Sequence, residues 1–431
     1  MELESFLSLL TKVLQLSFVY SFCLVLFCFV TSSLRATNLP IPIDKLRLNA
    51  NAGDVKSQMT LGNAFFLGKG VDQDYNKAFF WYSKAVENGS KSANFNIALC
   101  YDNGLGVKCD KFKAYEYYKE AEKYGIKEAR FNLGMIYRSG LSLNGEMLVK
   151  QDLKVAEEIF SQLIKEHFVP AYRAKAEFYL KIKRYVDAYN LLQKAADAGD
   201  AQSMNLLADC YYYAWGTKRD NAKRFYWIRK AMNAGSMEAR AKYAFCLERG
   251  DGISKNPALA LKHYTIAADA GLAMARVKLA EAYAFGNGVH QDVRLARTWY
   301  EKAASQKNGK AVFALGLFAL QGIGEVKDMP KAASLFLDAA KLGDPHAQFN
   351  IANFYLNGRG VDKDNKQAFF WFAQAAVNGS AKAQRELAFC YFNGVGTKND
   401  YKLGMKWLSL AVENGDLHAK EFMNDVFHTS K

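Results

Sequence analysis

The chain has little proline and lacks the spacings that usually hold a metal ion or a catalytic centre. Only six of its 431 residues are proline, while half are apolar, a composition typical of a packed, helix-rich protein rather than a disordered one. No HExxH, HxxxH or CxxC spacing occurs among its six histidines and seven cysteines, so the sequence supports no metal site. No grouping of serine, histidine and aspartate indicates a nucleophilic centre, and no cofactor is predicted.

An arginine-rich run is also missing, although the chain is basic, with a formal charge of +14. A basic surface favours acidic partners, such as an acidic protein face, an anionic envelope polymer or lipid head groups. Because the lysines and arginines are scattered along the whole chain, their distribution argues against nucleic acid.

One long hydrophobic run occurs, near the N-terminus. Val13 to Val30 carries no charge, a length at the boundary between a signal-peptide core and a short membrane-spanning helix. Small residues at 31–33 permit cleavage, whereas the basic residues that follow, beginning with Arg35, do not favour export. Both alternatives stay open: residues 1–36 form either a signal peptide or a membrane anchor, and the protein is expected to be exported or membrane-anchored. Residues 37–52 are predicted to be a linker, because the prolines within 38–44 disfavour helix before them.

An acidic or amide residue recurs with regular spacing, and this repetition predicts the fold. The markers are Asp74, Asp110, Asp152, Asp220, Asn256, Asp292, Asp328, Asp364 and Asp400. From Asp220 onward every interval is 36 residues. The earlier, longer intervals indicate an insertion near Leu143–Lys150 and one unit without a marker around Tyr172–Gly199. Each marker is expected to cap the second helix of a helix-turn-helix unit, since its side chain can accept from free amides of the first turn.

Small and large residues alternate along the second helix of each unit. In most units a small residue lies four positions after the marker and alanine lies eleven positions after it. An aromatic often lies seven positions after the marker, as at Trp81, Tyr117, Trp227, Trp299, Trp371 and Trp407. These offsets share one helical face, which is expected to pack between helices. Glycine ends the second helix, and Gly-x-Gly turns join the two helices, so these turns are structural rather than phosphate loops.

These motifs closely resemble the Sel-1-like repeat family over about residues 53–415. The family pattern is visible in Leu61-Gly62, Gly68 to Val71, Asp74 to Ala78 and Trp81 to Val86. The resemblance implies an all-α fold, a right-handed α-solenoid of about ten helix-turn-helix repeats of 36 residues, related to tetratricopeptide repeats. Residues 416–431 are predicted to form a C-terminal capping helix. Members of the family commonly serve as adaptors, in endoplasmic-reticulum quality control, bacterial envelopes or host–pathogen contact.

The cysteines bear on whether the chain is an enzyme. Some cysteine-rich bacterial members of the family carry a disulfide in each repeat, and β-lactamase activity has been claimed for them. This chain has no such pair in any repeat; four of its cysteines share a first-helix column in which other repeats place alanine or phenylalanine, as expected for buried thiols. We therefore expect a non-enzymatic scaffold for protein partners. The alternatives are an adaptor subunit of a membrane or endoplasmic-reticulum quality-control complex, and an envelope hydrolase of the β-lactamase-like type.

One polar column of the first helices is the candidate for partner binding, because first helices usually line the concave side of such a superhelix. Its members are Gln58, Asn94, Arg130, Arg240, Arg276, Gln348, Gln384 and Lys420. They could grip an extended peptide or its acidic side chains, although a solvated face or hydrogen bonds between repeats would also explain them. A second candidate is the aromatic run Tyr211, Tyr212, Tyr213 and Trp215, a potential hot spot whose alternative role is to fill the repeat core and its turn.

Overall fold

The computed structural model describes residues 42–143 and 146–428, and these are almost entirely helical. The first helices are α1 (Ile43–Asn51), α2 (Val55–Leu67), α3 (Tyr75–Glu87), α4 (Ala93–Asn103), α5 (Lys111–Lys123) and α6 (Lys127–Ser139). A hairpin, β1 (Leu141–Leu143) and β2 (Glu146–Val149), is followed by α7 (Leu153–Lys165), α8 (Val169–Lys181) and α9 (Tyr185–Asp197). Next come α10 (Ala201–Tyr213), α11 (Asn221–Asn233), α12 (Met237–Arg249), α13 (Pro257–Asp269), α14 (Ala273–Phe285), α15 (Val293–Ala304) and α16 (Gly309–Gln321). The last are α17 (Met329–Lys341), α18 (Pro345–Asn357), α19 (Asn365–Val377), α20 (Ala381–Asn393), α21 (Tyr401–Glu413) and α22 (Leu417–His428).

The helices form ten pairs, from α2 and α3 to α20 and α21, and the chain divides into two compact units, residues 1–198 and 199–431. The described part of the first unit contains α1, four pairs and the hairpin. The second contains six pairs and α22. Within each unit every helix packs on the next one in the chain, so the predicted all-α solenoid of tandem repeats is confirmed.

The second helices begin where the markers predict. The side chain of every marker accepts a hydrogen bond from the backbone amide three residues later, at 2.8 to 3.0 Å. Each bond satisfies one of the amides that the first helical turn leaves unpaired. The predicted caps are therefore confirmed in all nine units that carry a marker.

The largest buried side chains lie eight positions after the marker, one beyond the aromatic column that the sequence singles out. They include Tyr82, Tyr118, Phe160, Phe336 and Phe372. Glycines of the first helices make room for some of these rings. A Cβ on Gly316 would lie 2.8 Å from the ring of Phe336, and one on Gly134 would lie 2.9 Å from that of Phe160. The tryptophans at the seventh position flank this core, and several of them are also buried.

The predicted linker contains a helix. Residues 37–41 lie outside the described part, but residues 43–51 form α1. Leu46 and Ala50, four positions apart and so on one helical face, are buried against Leu61 and Phe65 of α2. The prolines limit only the start of the helix, since Pro42 lies at its N-terminal cap. The segment therefore covers the apolar edge of the first repeat.

The predicted insertion is a β-hairpin, and the predicted signal peptide or anchor lies outside the described residues. The insertion near Leu143–Lys150 is the antiparallel hairpin, which replaces a Gly-x-Gly turn between α6 and α7. Residues 1–36 lie outside the described part, so the signal peptide or anchor stays a prediction. Among the helices described, none combines the length and apolar character needed to cross a bilayer.

Candidate functional site

Three glutamines of the predicted binding column are buried and connect repeats. Gln58, Gln348 and Gln384 are 2 to 3% exposed. Each donates from Nε2 to the carbonyl eight residues earlier, on Ala50 (2.9 Å), Ala340 (3.2 Å) and Ala376 (3.1 Å) respectively. Each accepts at Oε1 from the amide of an asparagine thirty residues later, namely Asn88 (3.1 Å), Asn378 (2.8 Å) and Asn414 (2.9 Å). We call these three residues the glutamine bridges; each joins the preceding helix to the end of its own repeat.

Other members of the column also make contacts within the fold. Arg276 donates to the carbonyls of Ala268 (3.0 Å) and Lys302 (3.1 Å). Arg130 pairs with Glu166 at 2.6 Å.

The remaining three differ in exposure. Asn94 is buried, Arg240 lies 3.5 Å from Nδ1 of His263, and Lys420 alone in the column is exposed. Burial, and then the guanidinium of Arg240, lower the pKa of His263. The column is therefore not an exposed ladder. The alternative, hydrogen bonding between repeats, describes the glutamines and Arg276.

The aromatic run at the end of α10 divides between core and surface. Tyr211 is buried, whereas Tyr213 is 57% exposed. The Tyr213 ring stacks on Trp215, with centroids 4.7 Å apart and an interplanar angle of 24°. This fold-back is possible because Ala214 adopts the left-handed conformation, with φ of 58°, at the position where many other repeats have glycine. Tyr211 therefore fills the repeat core, as the alternative interpretation predicts, whereas the ring of Tyr213 lies on the surface.

A buried arginine contacts the tyrosine next to this aromatic pair. Arg224 takes the place, four residues after the marker, where seven other repeats have alanine. It forms an ion pair with Asp251 in the turn after α12, and its guanidinium lies 4.3 Å from the ring centroid of Tyr212. Tyr212 in turn meets Tyr213 edge to face at 4.7 Å. The part-buried Arg224–Asp251 ion pair therefore places a cation on the ring that Tyr213 contacts.

The outer side of α11 and the turn before it are strongly basic. Together with the aromatic pair they form a surface that we call the α11 surface: Tyr213, Trp215, Lys218, Arg219, Lys223, Tyr226, Arg229 and Lys230. No acidic residue occurs between Asp220 and Glu238. Of the five cations, Lys223 has an ion pair, with Asp220 at 3.9 Å, and in the described part of the chain no carboxylate lies within salt-bridge distance of the other four.

Other second helices neutralise their outer lysines locally. Examples are Lys84 with Glu87 on α3, Lys123 with Glu120 on α5 and Lys341 with Asp338 on α17. Of the α11 surface, the sequence pointed to Tyr213 and Trp215 as binding candidates, but the basic residues beside them were missed. Their signals were the acid-free stretch 221–237 and the helical spacing of Lys223, Tyr226 and Lys230, which places these three side chains on one face.

The buried thiols have the properties of core residues. Burial raises the pKa of Cys100 and Cys210 to about 12 and that of Cys390 to about 11. At neutral pH these thiols are therefore protonated, and a protonated thiol is a poor nucleophile. Cys109, exposed in a turn, is also unpaired with any other cysteine of the described residues.

Comparison with known proteins gives a consistent result. The model of the Sel1 repeat matches ten segments: residues 55–90, 91–123, 127–165, 182–200, 201–236, 238–272, 273–308, 309–344, 345–380 and 381–416. Among solved structures, a protective antigen of uropathogenic Escherichia coli displaying an SLR fold is 27% identical. That match covers 91% of each chain with a TM-score of 0.52. A Sel1 repeat protein from Oxalobacter formigenes is 29% identical, over 56% of this chain and 98% of its own, with a TM-score of 0.51. No curated protein matches.

Proposed function

The chain belongs to the Sel1 repeat family, and from this premise we propose that it is a non-enzymatic scaffold that binds protein partners through the surface of its repeats. The α11 surface carries the proposal. It combines two exposed tyrosines, a tryptophan and two exposed arginines, the residue types that dominate the energy of protein interfaces. The Arg224–Asp251 pair supports the ring of Tyr212, which in turn contacts Tyr213, and this support reduces the ordering that binding would otherwise require.

Site-specific photo-crosslinking in the native host tests the scaffold role. A photoreactive phenylalanine analogue replaces Tyr213 in one variant and Tyr401 in the control. Tyr401 is a tyrosine of the same unit with a similar exposure of 64%. We expect discrete protein adducts from position 213 and few from position 401. Adducts of equal yield and identity at both positions, or none at position 213, would contradict binding at the α11 surface.

The location of the scaffold is a further part of the proposal: the protein is exported or membrane-tethered. Support comes from the uncharged run Val13 to Val30, which has the length of a signal core or a short anchor. Mass spectrometry of the intact native chain, together with membrane fractionation, tests it. A start near residue 33 in a soluble fraction indicates export, whereas an intact N-terminus in the membrane fraction indicates a tether. An intact chain in the cytosolic fraction would refute both.

The non-enzymatic part has its own test. The high pKa values of the buried thiols support it, because they disfavour a thiolate nucleophile. Purified protein is incubated with nitrocefin, the substrate suited to the hydrolase alternative. Hydrolysis that scales with protein concentration and survives repeated purification would overturn the proposal.

A further inference from the structure

We propose that the α11 surface recognises an acidic polypeptide segment that carries an aromatic side chain. The carboxylates of the segment would meet Arg219, Arg229 and Lys230, and its ring would pack at the Tyr213–Trp215 pair. This inference rests on the scaffold function and adds the chemistry of the partner and the place where it binds.

The first argument is the uncompensated charge. Five cations lie on one side of a 13-residue helix and the turn before it, and four of them have no carboxylate within ion-pair distance among the described residues. Helices α3, α5 and α17 show that the same fold readily supplies a carboxylate three residues from an outer lysine. Like charges on one side of a helix repel each other in the free protein, and an acidic partner would relieve that repulsion.

The second argument is that aromatic rings hold several of the cations in position. Lys230 Nζ lies 5.1 Å from the ring centroid of Tyr226 and 5.0 Å from that of Trp227. The guanidinium of Arg219 lies 5.2 Å from the ring centroid of Tyr212. Side chains placed by such contacts lose less conformational freedom when they bind a carboxylate. An arginine can in addition receive a carboxylate through two parallel hydrogen bonds.

The third argument favours a polypeptide over a single-stranded nucleic acid. Binding of single strands depends on open ring faces on which bases can stack. Here Arg219 and Arg224 lie over Tyr212, and Lys230 lies over Tyr226 and Trp227. Tyr213 stacks on Trp215. Rings with cations on their faces present edges and donors, which suits carboxylates and one inserted side chain better than a series of bases.

The test uses fluorescence anisotropy of a labelled twelve-residue peptide made of Asp and Glu with one central Phe. The full chain is titrated into this probe, and the double substitution Arg229→Glu with Lys230→Glu is compared with wild type. The control is Lys402→Glu with Lys406→Glu, which changes the net charge equally through two exposed lysines of α21 in the same unit. We expect the α11 variant to lose about tenfold or more in affinity, the scale of a lost charge-assisted contact, and the control to lose less than about threefold through the general field.

The aromatic part has a separate variant. Tyr213→Ser removes the exposed ring, so the probe with Phe should bind less tightly to this variant than to the wild type. A probe with Gly in place of Phe should bind the variant and the wild type equally. Circular dichroism and the melting temperature confirm that every variant is folded. An equal loss of affinity in the Arg229→Glu, Lys230→Glu variant and in the Lys402→Glu, Lys406→Glu control would overturn the proposal. So would the absence of saturable binding to the wild type.

Two competitors decide the class of the ligand. An oligothymidylate of equal charge, or phosphatidylcholine vesicles containing phosphatidylserine, would overturn the inference if either displaced the peptide at a lower concentration than unlabelled peptide does. The photo-crosslinking experiment separates this failure from failure of the scaffold function. If adducts form at position 213 in both the wild type and the Arg229→Glu, Lys230→Glu background, the chain binds proteins there without recognising acidic segments.

Discussion

At the scale of single residues, the second glycine of the Gly-x-Gly turns forms a contact between repeats. A Cβ on Gly106, Gly360 or Gly396 would overlap a backbone carbonyl at the start of the preceding repeat's second helix, that of Tyr75, Met329 or Asn365 respectively. These glycines also have positive φ. They are therefore required for two reasons: the turn needs a positive φ, and the backbone of the preceding repeat comes too close for a Cβ.

Gly360→Ala tests this double requirement against Gly379→Ala. Both residues have positive φ, but a Cβ on Gly379 meets no atom within 4 Å. The control should cost about 1 kcal/mol of unfolding free energy for the left-handed conformation alone. Gly360→Ala should cost about 3 kcal/mol or more, since the overlap with the Met329 carbonyl adds to it. Urea unfolding followed by circular dichroism measures both, and equal costs would show that the contact with Met329 has no weight.

Ala214 gives the opposite prediction, because it is an alanine in a glycine's conformation. Its φ of 58° is unfavourable by about 1 to 2 kcal/mol for a residue with a Cβ, and the extra freedom of glycine in the unfolded chain offsets about half of this. Ala214→Gly should therefore raise the melting temperature. Ala234→Gly, at the end of α11 with φ of −80°, should lower it. A destabilised Ala214→Gly would mean that the side chain is needed to hold Trp215 over Tyr213.

Features that depend on neighbours in the chain could be predicted from the sequence, whereas those that depend on neighbours in space could not. The nine caps follow from local spacing. The column of Gln58 and Gln348 is polar in the sequence, but its burial depends on the carbonyl of the preceding helix and an asparagine thirty residues away. The basic face of α11 was overlooked because its significance lies in a comparison between helices. The outer lysines of α3, α5 and α17 each pair with a carboxylate of the same helix, whereas among the described residues no carboxylate lies within salt-bridge distance of Arg229 or Lys230.

At the scale of helices, the glutamine bridges act as fasteners between successive pairs. Gln348 joins α17, through the carbonyl of Ala340, to the end of α19, through Asn378. Gln348 and Ala340 are buried, whereas Asn378 is exposed. If Gln348 were replaced, water could take over the hydrogen bond to Asn378 more easily than the hydrogen bond to the Ala340 carbonyl. The bridge thus couples three helices through one side chain.

Gln348→Leu tests the bridge while keeping much of the volume of the side chain. It should lower the unfolding free energy by about 1 to 3 kcal/mol, the cost of removing the partner of a buried polar group. The control, Gln367→Leu, lies on the exposed side of α19 and should change it by less than about 0.5 kcal/mol. Hydrogen exchange should also become faster in α17 and α19 of the Gln348 variant. Unchanged exchange there, with unchanged stability, would argue that the bridge is incidental.

At the scale of the whole molecule, the first and the last of the described helices each cover the outer apolar side of a repeat pair. A repeat protein is a series of units, each of which buries its apolar side on its neighbours, so the first and last units need a cover. Leu46 and Ala50 of α1 serve the first pair. At the other end, Ala419 of α22 is buried with Ala388, Leu408 and Ala411, and Phe422 meets Phe389 edge to face at 5.2 Å.

Removal of α22 should therefore expose the apolar side of the last pair. A chain that ends at Asn414 would lose the cover over Leu408 and Phe389, whereas a control that ends at His428 keeps it. We expect the shorter chain to melt at a lower temperature and to self-associate, because uncovered apolar edges of repeat arrays associate in water. Size-exclusion chromatography with light scattering, together with thermal unfolding, compares the two. If the shorter chain has the same mass distribution and melting temperature as the control, α22 is an appendage rather than a cap, and the tenth repeat is stable with its apolar edge open to solvent.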